Sequence, residues 1–237
     1  IETELMLADL DSMEKRVDNL SKKAKGNDKE AKEQLDLVNR ALALLREGKP
    51  TRLMERKVEE ERNFRMLGLL TSKPVLYVCN VEESSARDGN SFSKQVFEQA
   101  KKEGAVAVVI SAKIESEIAT LSREERADFL ETLGLEEAGL DRLIRAGYRL
   151  LHLITYFTVG PKEARAWTID RGTKAPGAAG VIHTDFEKGF IRAETIAFDD
   201  YVALNGEAGA RDAGKLRLEG KEYIVADGDV MHFRFNT

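Results

Sequence analysis

Apolar residues recur at alternating spacings of four and three in Met6, Leu10, Met13, Val17, Leu20 and Ala24. The same rhythm returns in Ala31, Leu35, Val38, Leu42 and Leu45. A stripe of that period predicts two helices, each with one apolar seam. Lys25, Gly26, Asn27 and Asp28 separate them, with Gly26 suited to a left-handed cap and Asn27 or Asp28 to capping the second helix. So short a connection folds the helices back as an antiparallel pair, each arm roughly 30 Å long at about 1.5 Å per residue. Gly48 and Pro50 end the second arm, and a further helix is expected over about 52–67.

Beyond it the pattern changes. Pro74 to Cys79 and Ala105 to Ile110 are short apolar runs rich in β-branched residues, the signature of strands buried on both faces. Between them lie a polar loop with Asp88, Gly89 and Asn90, a helical stretch from Ser91 to Glu103, and Gly104 as its stop. Strand, helix and strand in that order predict a parallel pair. Helical segments follow near 122–133 and 139–152, too little sheet for a complete doubly wound domain. Past position 150 short β-like runs occur at 154–159, 165–169, 190–197 and 222–226, and ten of the 16 aromatic residues lie there. The clearest hairpin is expected from Tyr223–Ala226, a turn at Asp227, Gly228 and Asp229, and Val230 to Phe235, with Met231, Phe233 and Phe235 on one face. The chain therefore reads as three regions: a helical coiled-coil arm over 1–66, an α/β segment over 67–152, and a β-rich domain over 153–237.

Composition narrows the function classes. Hydrophobic residues make up 42% and charged residues 33%, and 37 basic against 42 acidic residues give a net charge of −5. That balance supports a packed core and gives no whole-chain attraction for nucleic acid, although a local basic face is compatible with it. Cys79 is the single cysteine, so no intrachain disulfide forms; its place in an apolar run marks it as core. No apolar run reaches the ~20 residues of a membrane helix. The chain begins at Ile1, inside an amphipathic pattern, and reads as part of a longer protein.

The candidate chemistry sits at strand ends. Asn80, Val81, Glu82 and Glu83 follow the first buried run; Ser111, Ala112 and Lys113 follow the second. Ligands of open α/β sheets bind beyond the carboxyl ends of the strands, so both motifs project to one rim. An amide and a carboxylate from one loop, facing backbone groups of the other, read a flat heterocycle by its edge. The pair resembles the fourth and fifth motifs of the GTPase superfamily, with Val81 at the lysine position and Glu83 at the aspartate position. In that motif the aspartate accepts from guanine N1–H and its 2-amino group. Adenine carries neither donor, and a longer Glu83 shifts the carboxylate, so guanine loses its advantage.

Other residues carry less. Gly209 to Leu216 nearly match a phosphate loop, but Leu216 stands where a magnesium-binding hydroxyl belongs and no buried strand precedes it, so a turn is expected. His183, His152 and His232 lack metal-ligand spacing, and no protein-bound metal is expected. Lys22, Lys23 and Lys25 near the arm's tip, and Lys162, Arg165, Arg171, Lys174, Lys188 and Arg192 in the last region, read either as ordinary solvated charge or as phosphate contacts to RNA.

Several stretches together resemble the Obg-like ATPases of the YchF type: Ile1 to Leu5, Asn80 to Glu83, Ser111 to Glu115, Arg165 to Ile169, Gly180 to Phe186 and Asp227 to Phe233. The resemblance implies a fold of α/β plus β-grasp class: part of a P-loop GTPase-like domain, an antiparallel coiled-coil arm, and a C-terminal TGS domain. It implies ATP hydrolysis in preference to GTP, ribosome association, and a cytoplasmic location. It carries adenine selection to Asn80 and Glu83, places the Val81 backbone near the adenine amino group, and lines the base with Ser111 and Ala112. It also implies that the phosphate loop and the Mg2+ ligands precede Ile1, so that this chain alone holds no catalytic residue and does not turn over ATP. Two alternatives stand beside the ATPase reading. One is an RNA- or ribosome-binding module that nucleotide merely regulates. The other is self-association through the arm, disfavoured because each helix already has a partner for its apolar seam.

Overall fold

A computed structural model describes residues 1–26 and 28–236. By its contacts the chain divides into two units, Ile1–Gly139 and Leu140–Thr237, so the arm and the strand pair fall in one unit. The sequence pattern places its boundaries near 66 and 152.

In the first unit, α1 (Glu2–Lys25) and α2 (Lys29–Arg46) form the antiparallel hairpin. Met13, Leu37, Val38, Ala41 and Leu42 are buried in its seam, which is wider than the predicted stripe because Leu37 and Ala41 join it. The Asp28 carboxylate accepts from Ala31 N at 3.1 Å and caps α2; Asn27 lies outside the described residues. Gly26 departs from expectation, with φ −79°, because its N–H closes a tight last turn onto the Lys23 carbonyl at 2.9 Å. The single helix expected over 52–67 is broken into 3-10 turns at Thr51–Leu53 and Val58–Glu60 and a short α3 (Glu61–Met66). Arg40 of α2 explains the break: it donates to the Glu55 carbonyl at 2.6 Å and to Glu60 at 2.8 Å, holding the chain in a bend while Met54 and Phe64 enter the arm's core.

A polar knot roots the arm. Asp9 is 3% exposed and accepts from Leu70 N (2.8 Å), Thr71 N (2.8 Å) and Thr71 Oγ1 (2.7 Å). Thr71 Oγ1 in turn accepts from Thr51 N at 3.1 Å. Residues 70–72 lead directly into β1 (Leu76–Asn80), so the hairpin is tied to the strand that carries Asn80.

β1 pairs in parallel with β2 (Val106–Ile110) through α4 (Ser91–Glu103). The predicted limits of α4 hold because Asn90 caps it and Gly104 leaves it at φ +64°, a left-handed conformation that costs glycine little. The strands are not buried on both faces as expected: every residue of β2 is half-buried, Val78 is 44% exposed, and Phe92 on α4 is 75% exposed. Among the described residues this sheet has two strands, and no third strand pairs with either outer edge. Cys79 is half-buried, and desolvation pushes its thiol pKa up, which keeps it a poor nucleophile. After β2 come α5 (Ala112–Ile118), which the sequence did not reveal, and α6 (Arg123–Thr132); α7 (Gly139–Leu150) begins at the boundary between the units.

The second unit holds a five-stranded sheet in the order β4-β3-β7-β5-β6: β3 (Leu153–Val159), β4 (Ala164–Asp170), β5 (Phe190–Ala197), β6 (Arg217–Glu219) and β7 (Asp229–Phe235). β3 and β7 run parallel at its centre and the other pairs are antiparallel. Between β4 and β5 lie α8 (Ala175–Ile182) and α9 (Thr184–Lys188); between β5 and β6 lie α10 (Phe198–Ala203) and α11 (Glu207–Asp212). Ala175, Ala178 and Ala179 of α8 pack on Ile154, Tyr156, Ala193, Met231 and Phe233. The expected terminal hairpin does not form. Tyr223–Ala226 bridges back to Lys174 through Ile224, while β7 takes β5 and β3 as partners. Asp229 sets this geometry: it is 2% exposed and accepts from Tyr223 Oη (2.7 Å), Ala226 N (2.9 Å) and Arg217 (3.1 Å). Burial, with the Asp229 carboxylate alongside, pushes the Tyr223 phenol up to about 12.

Candidate nucleotide-base site

Register brings the two motifs together. Asn80 is the last residue of β1 and pairs with Ile110, the last of β2. Val81 N donates to the Ile110 carbonyl at 2.9 Å, carrying the ladder one step past the strands. Asn80 Oδ1 accepts from Ala112 N at 2.9 Å, a cross-strand clamp between the two loops. That bond fixes the amide: its oxygen is engaged within the protein, and the Nδ2 donors are left for something beyond the rim. Asn80 and Ala112 are exposed, while Val81 is 8% and Ser111 2% exposed. The Ser111 hydroxyl is buried and finds no partner among the described residues, a costly arrangement for a serine in a protein interior.

The carboxylates divide their work. Glu82 accepts from Ser85 Oγ at 2.6 Å and from Asn90 Nδ2 at 3.1 Å, and these bonds hold its pKa below the usual carboxylate range. It organises the loop from 83 to 90 and reaches across to the cap of α4. Glu83 forms an ion pair with Lys113 Nζ, and that carboxylate raises the Lys113 pKa. Lys113 belongs to the Ser-Ala-Lys motif, but no role for it is legible there; its partner Glu83, in the other loop, is visible only in three dimensions.

The other candidate residues lie elsewhere. Lys22, Lys23 and Lys25 are exposed in the last turn of α1. Lys162 is exposed between β3 and β4, the Arg165 guanidinium stacks on the Trp167 ring at 4.2 Å, and Lys174 pairs with Glu222 at 2.5 Å. The near match to a phosphate loop from Gly209 to Leu216 is α11 followed by a turn with Gly214 at φ +69°. A Cβ on Gly209 would collide with the Leu204 carbonyl, so this glycine serves packing.

Comparisons with known proteins place the chain as a whole. Residues 153–236 match the family profile YchF-GTPase_C, described as a protein of unknown function (DUF933). The chain is 56% identical over 237 residues to the ribosome-binding ATPase YchF of Haemophilus influenzae, covering 100% of this chain and 65% of that protein. It is 52% identical over 239 residues to the Bacillus subtilis protein of the same name, again 65% of that protein. Among solved structures, the Schizosaccharomyces pombe YchF GTPase superposes with a TM-score of 0.85 at 33% identity, over 99% of this chain and 64% of that one. A GTP binding protein from Pyrococcus horikoshii OT3, at TM-score 0.50 and 16% identity, shares the fold. The chain thus spans 65% of the length of its bacterial relatives. With the whole of its length aligned to them, the chain belongs to the YchF-type, Obg-like family of GTPases and ATPases.

Proposed function

We propose that this chain carries the adenine-reading rim, the helical arm and the RNA-facing domain of a ribosome-binding ATPase. The observation that carries the reading is the Asn80–Ala112 clamp with its outward Nδ2 donors, beside the Ser111 hydroxyl, which has no partner among the described residues. Purine N7 is an acceptor for such a donor, and the Val81 carbonyl suits the adenine amino group. Preference for ATP over GTP is supported by the Glu83–Lys113 ion pair: a carboxylate already bound to a cation is a poor acceptor for guanine N1–H. The relatives' names divide between ATPase and GTPase, so base preference is the point to test.

In the same proposal, the phosphate-binding loop and the Mg2+ ligands belong to the part of the relatives that this chain does not match. Among the described residues no cluster of three metal-ligating side chains occurs. Bound ATP would supply the transferable phosphoryl group; this chain's share is to hold and orient the base. The domains are assigned as arm 1–66, nucleotide-binding segment 67–152 and TGS domain 153–237. A parallel central pair flanked by antiparallel strands, with α8 across one face, supports the β-grasp reading of the last of these. The exposed Lys22, Lys23, Lys25, Lys162, Arg165 and Lys174 are offered as contacts to ribosomal RNA in the cytoplasm.

The test joins this chain to the remaining third found in its relatives and compares turnover of ATP and GTP. ATP is expected to be preferred, and Glu83→Asp with Val81→Lys to move preference toward GTP. Equal turnover in the parent protein sinks the base assignment. Ribosome pelleting with Lys22, Lys23 and Lys25 changed to Glu tests the arm separately, and unchanged pelleting removes it from the contact.

A further inference from the structure

On the second unit, an open hollow of about 350 Å³ lies between β3, the start of α10 and the turn before β7. Its size is within the range of ligand pockets. The Phe157 and Phe198 rings form its apolar wall, tilted at 39° with centroids 5.5 Å apart, and Phe198 is 47% exposed. Asp199 and Asp227 stand at the rim. Asp227 Oδ1 accepts from Thr155 N at 2.8 Å, which fixes that carboxylate in place. Asp199 is exposed, and the neighbouring Asp200, not Asp199, takes the Lys215 ammonium at 3.3 Å. Gly228, at φ +84°, comes close enough to Phe198 that a side chain there would narrow the hollow.

We propose that this hollow receives an arginine side chain from a basic polypeptide segment of a partner protein. Charge selects the occupant. Two carboxylates repel the phosphates of a nucleic acid, and they are the wrong edge for an apolar ligand, which would desolvate them without repayment. Two aromatic faces beside two carboxylates fit a planar cation: the guanidinium stacks on one ring while its edge hydrogen bonds reach a carboxylate. A lysine ammonium meets the charge but not the stack. The site is distinct from the base-reading rim and no nucleotide enters its test, so either reading can fail alone.

The test measures fluorescence anisotropy of a labelled peptide of four Gly-Arg repeats with this chain, beside a Gly-Lys peptide and a labelled oligouridylate of equal length. The arginine peptide is expected to bind at least threefold tighter than the lysine peptide. Phe198→Ala and Asp199→Asn should each weaken it at least fivefold, and Asp212→Asn, remote in sequence on α11, should leave it unchanged. Amide signals of Phe157, Phe198, Asp199 and Gly228 should shift on addition. If Phe198→Ala fails to fold by Trp167 fluorescence, Asp199→Asn carries the comparison. Equal weakening by Asp212→Asn, unchanged binding in the two site variants, or oligouridylate displacing the peptide from these residues would overturn the proposal.

Discussion

Replacing Asp9 by Ala should loosen the arm at its root. Asp9 is 3% exposed and accepts three hydrogen bonds of 2.7–2.8 Å from Leu70 N, Thr71 N and Thr71 Oγ1. Its loss leaves two backbone N–H groups without a partner in a closed site, at about 1–3 kcal/mol each. Thr71 Oγ1 keeps Thr51 and loses less. Relief from burying a carboxylate offsets part of the cost, so the net destabilisation is about 2–4 kcal/mol, a large fraction of a domain's ~5–15 kcal/mol. Two probes separate the units. The long helices of the arm dominate far-ultraviolet circular dichroism, whereas Trp167, the single tryptophan, lies in the second unit. Urea melts of Asp9→Ala should show the dichroism midpoint falling by roughly 1–2 M while the tryptophan midpoint stays in place. A loss under about 0.5 kcal/mol would mean that water satisfies the exposed donors and that the knot does not hold the arm. Equal movement of both midpoints would refute the confinement of the effect to the first unit.

Three further outcomes follow from local geometry. Gly209→Ala should destabilise the second unit by about 2 kcal/mol or more, read from Trp167 fluorescence in urea, because the new Cβ meets the Leu204 carbonyl; wild-type stability would reopen the loop to a phosphate-binding role. Glu103 is held below the usual carboxylate range by hydrogen bonds from Gln99 and Tyr77 and by the charge of Arg52. Its contribution is therefore fully present above about pH 5 and lost as pH falls through its depressed folded value, so Glu103→Gln should flatten the acid limb of first-unit stability between about pH 5 and 3; an unchanged slope in urea melts contradicts it. Lys113→Ala frees the Glu83 carboxylate and should narrow the ATP-over-GTP ratio in the full-length protein by about threefold to tenfold, with competition binding as the readout.

Local signals carried much of the architecture. The seam of the hairpin, the limits of α4 and the parallel β1–β2 pair follow from spacing, Asn90, Gly104 and the crossover rule, and the pairing is what sets Asn80 beside Ala112. What stayed hidden depends on distant partners. Asp9 looks like a solvent-facing residue of an amphipathic helix until Leu70 and Thr71, more than 60 positions away, are placed against it. β7 reads as half of a hairpin because its true neighbours, β5 and β3, lie far back in the chain. At the site, spacing revealed which residues meet. The direction of the Asn80 amide, the orphaned Ser111 hydroxyl and the Glu83–Lys113 pair required atoms in space.

The central claim is that the rim formed by Asn80, Val81, Ser111 and Ala112 binds adenine, and site-resolved NMR during nucleotide titration of the full-length protein tests it most directly. Millimolar ATP should move the Asn80 side-chain amide and the backbone signals of Val81, Ser111 and Ala112, with GTP producing much smaller shifts and Asn80→Ala abolishing them. Identical responses to the two nucleotides, or shifts centred on Gly209 to Leu216 instead, would contradict the account.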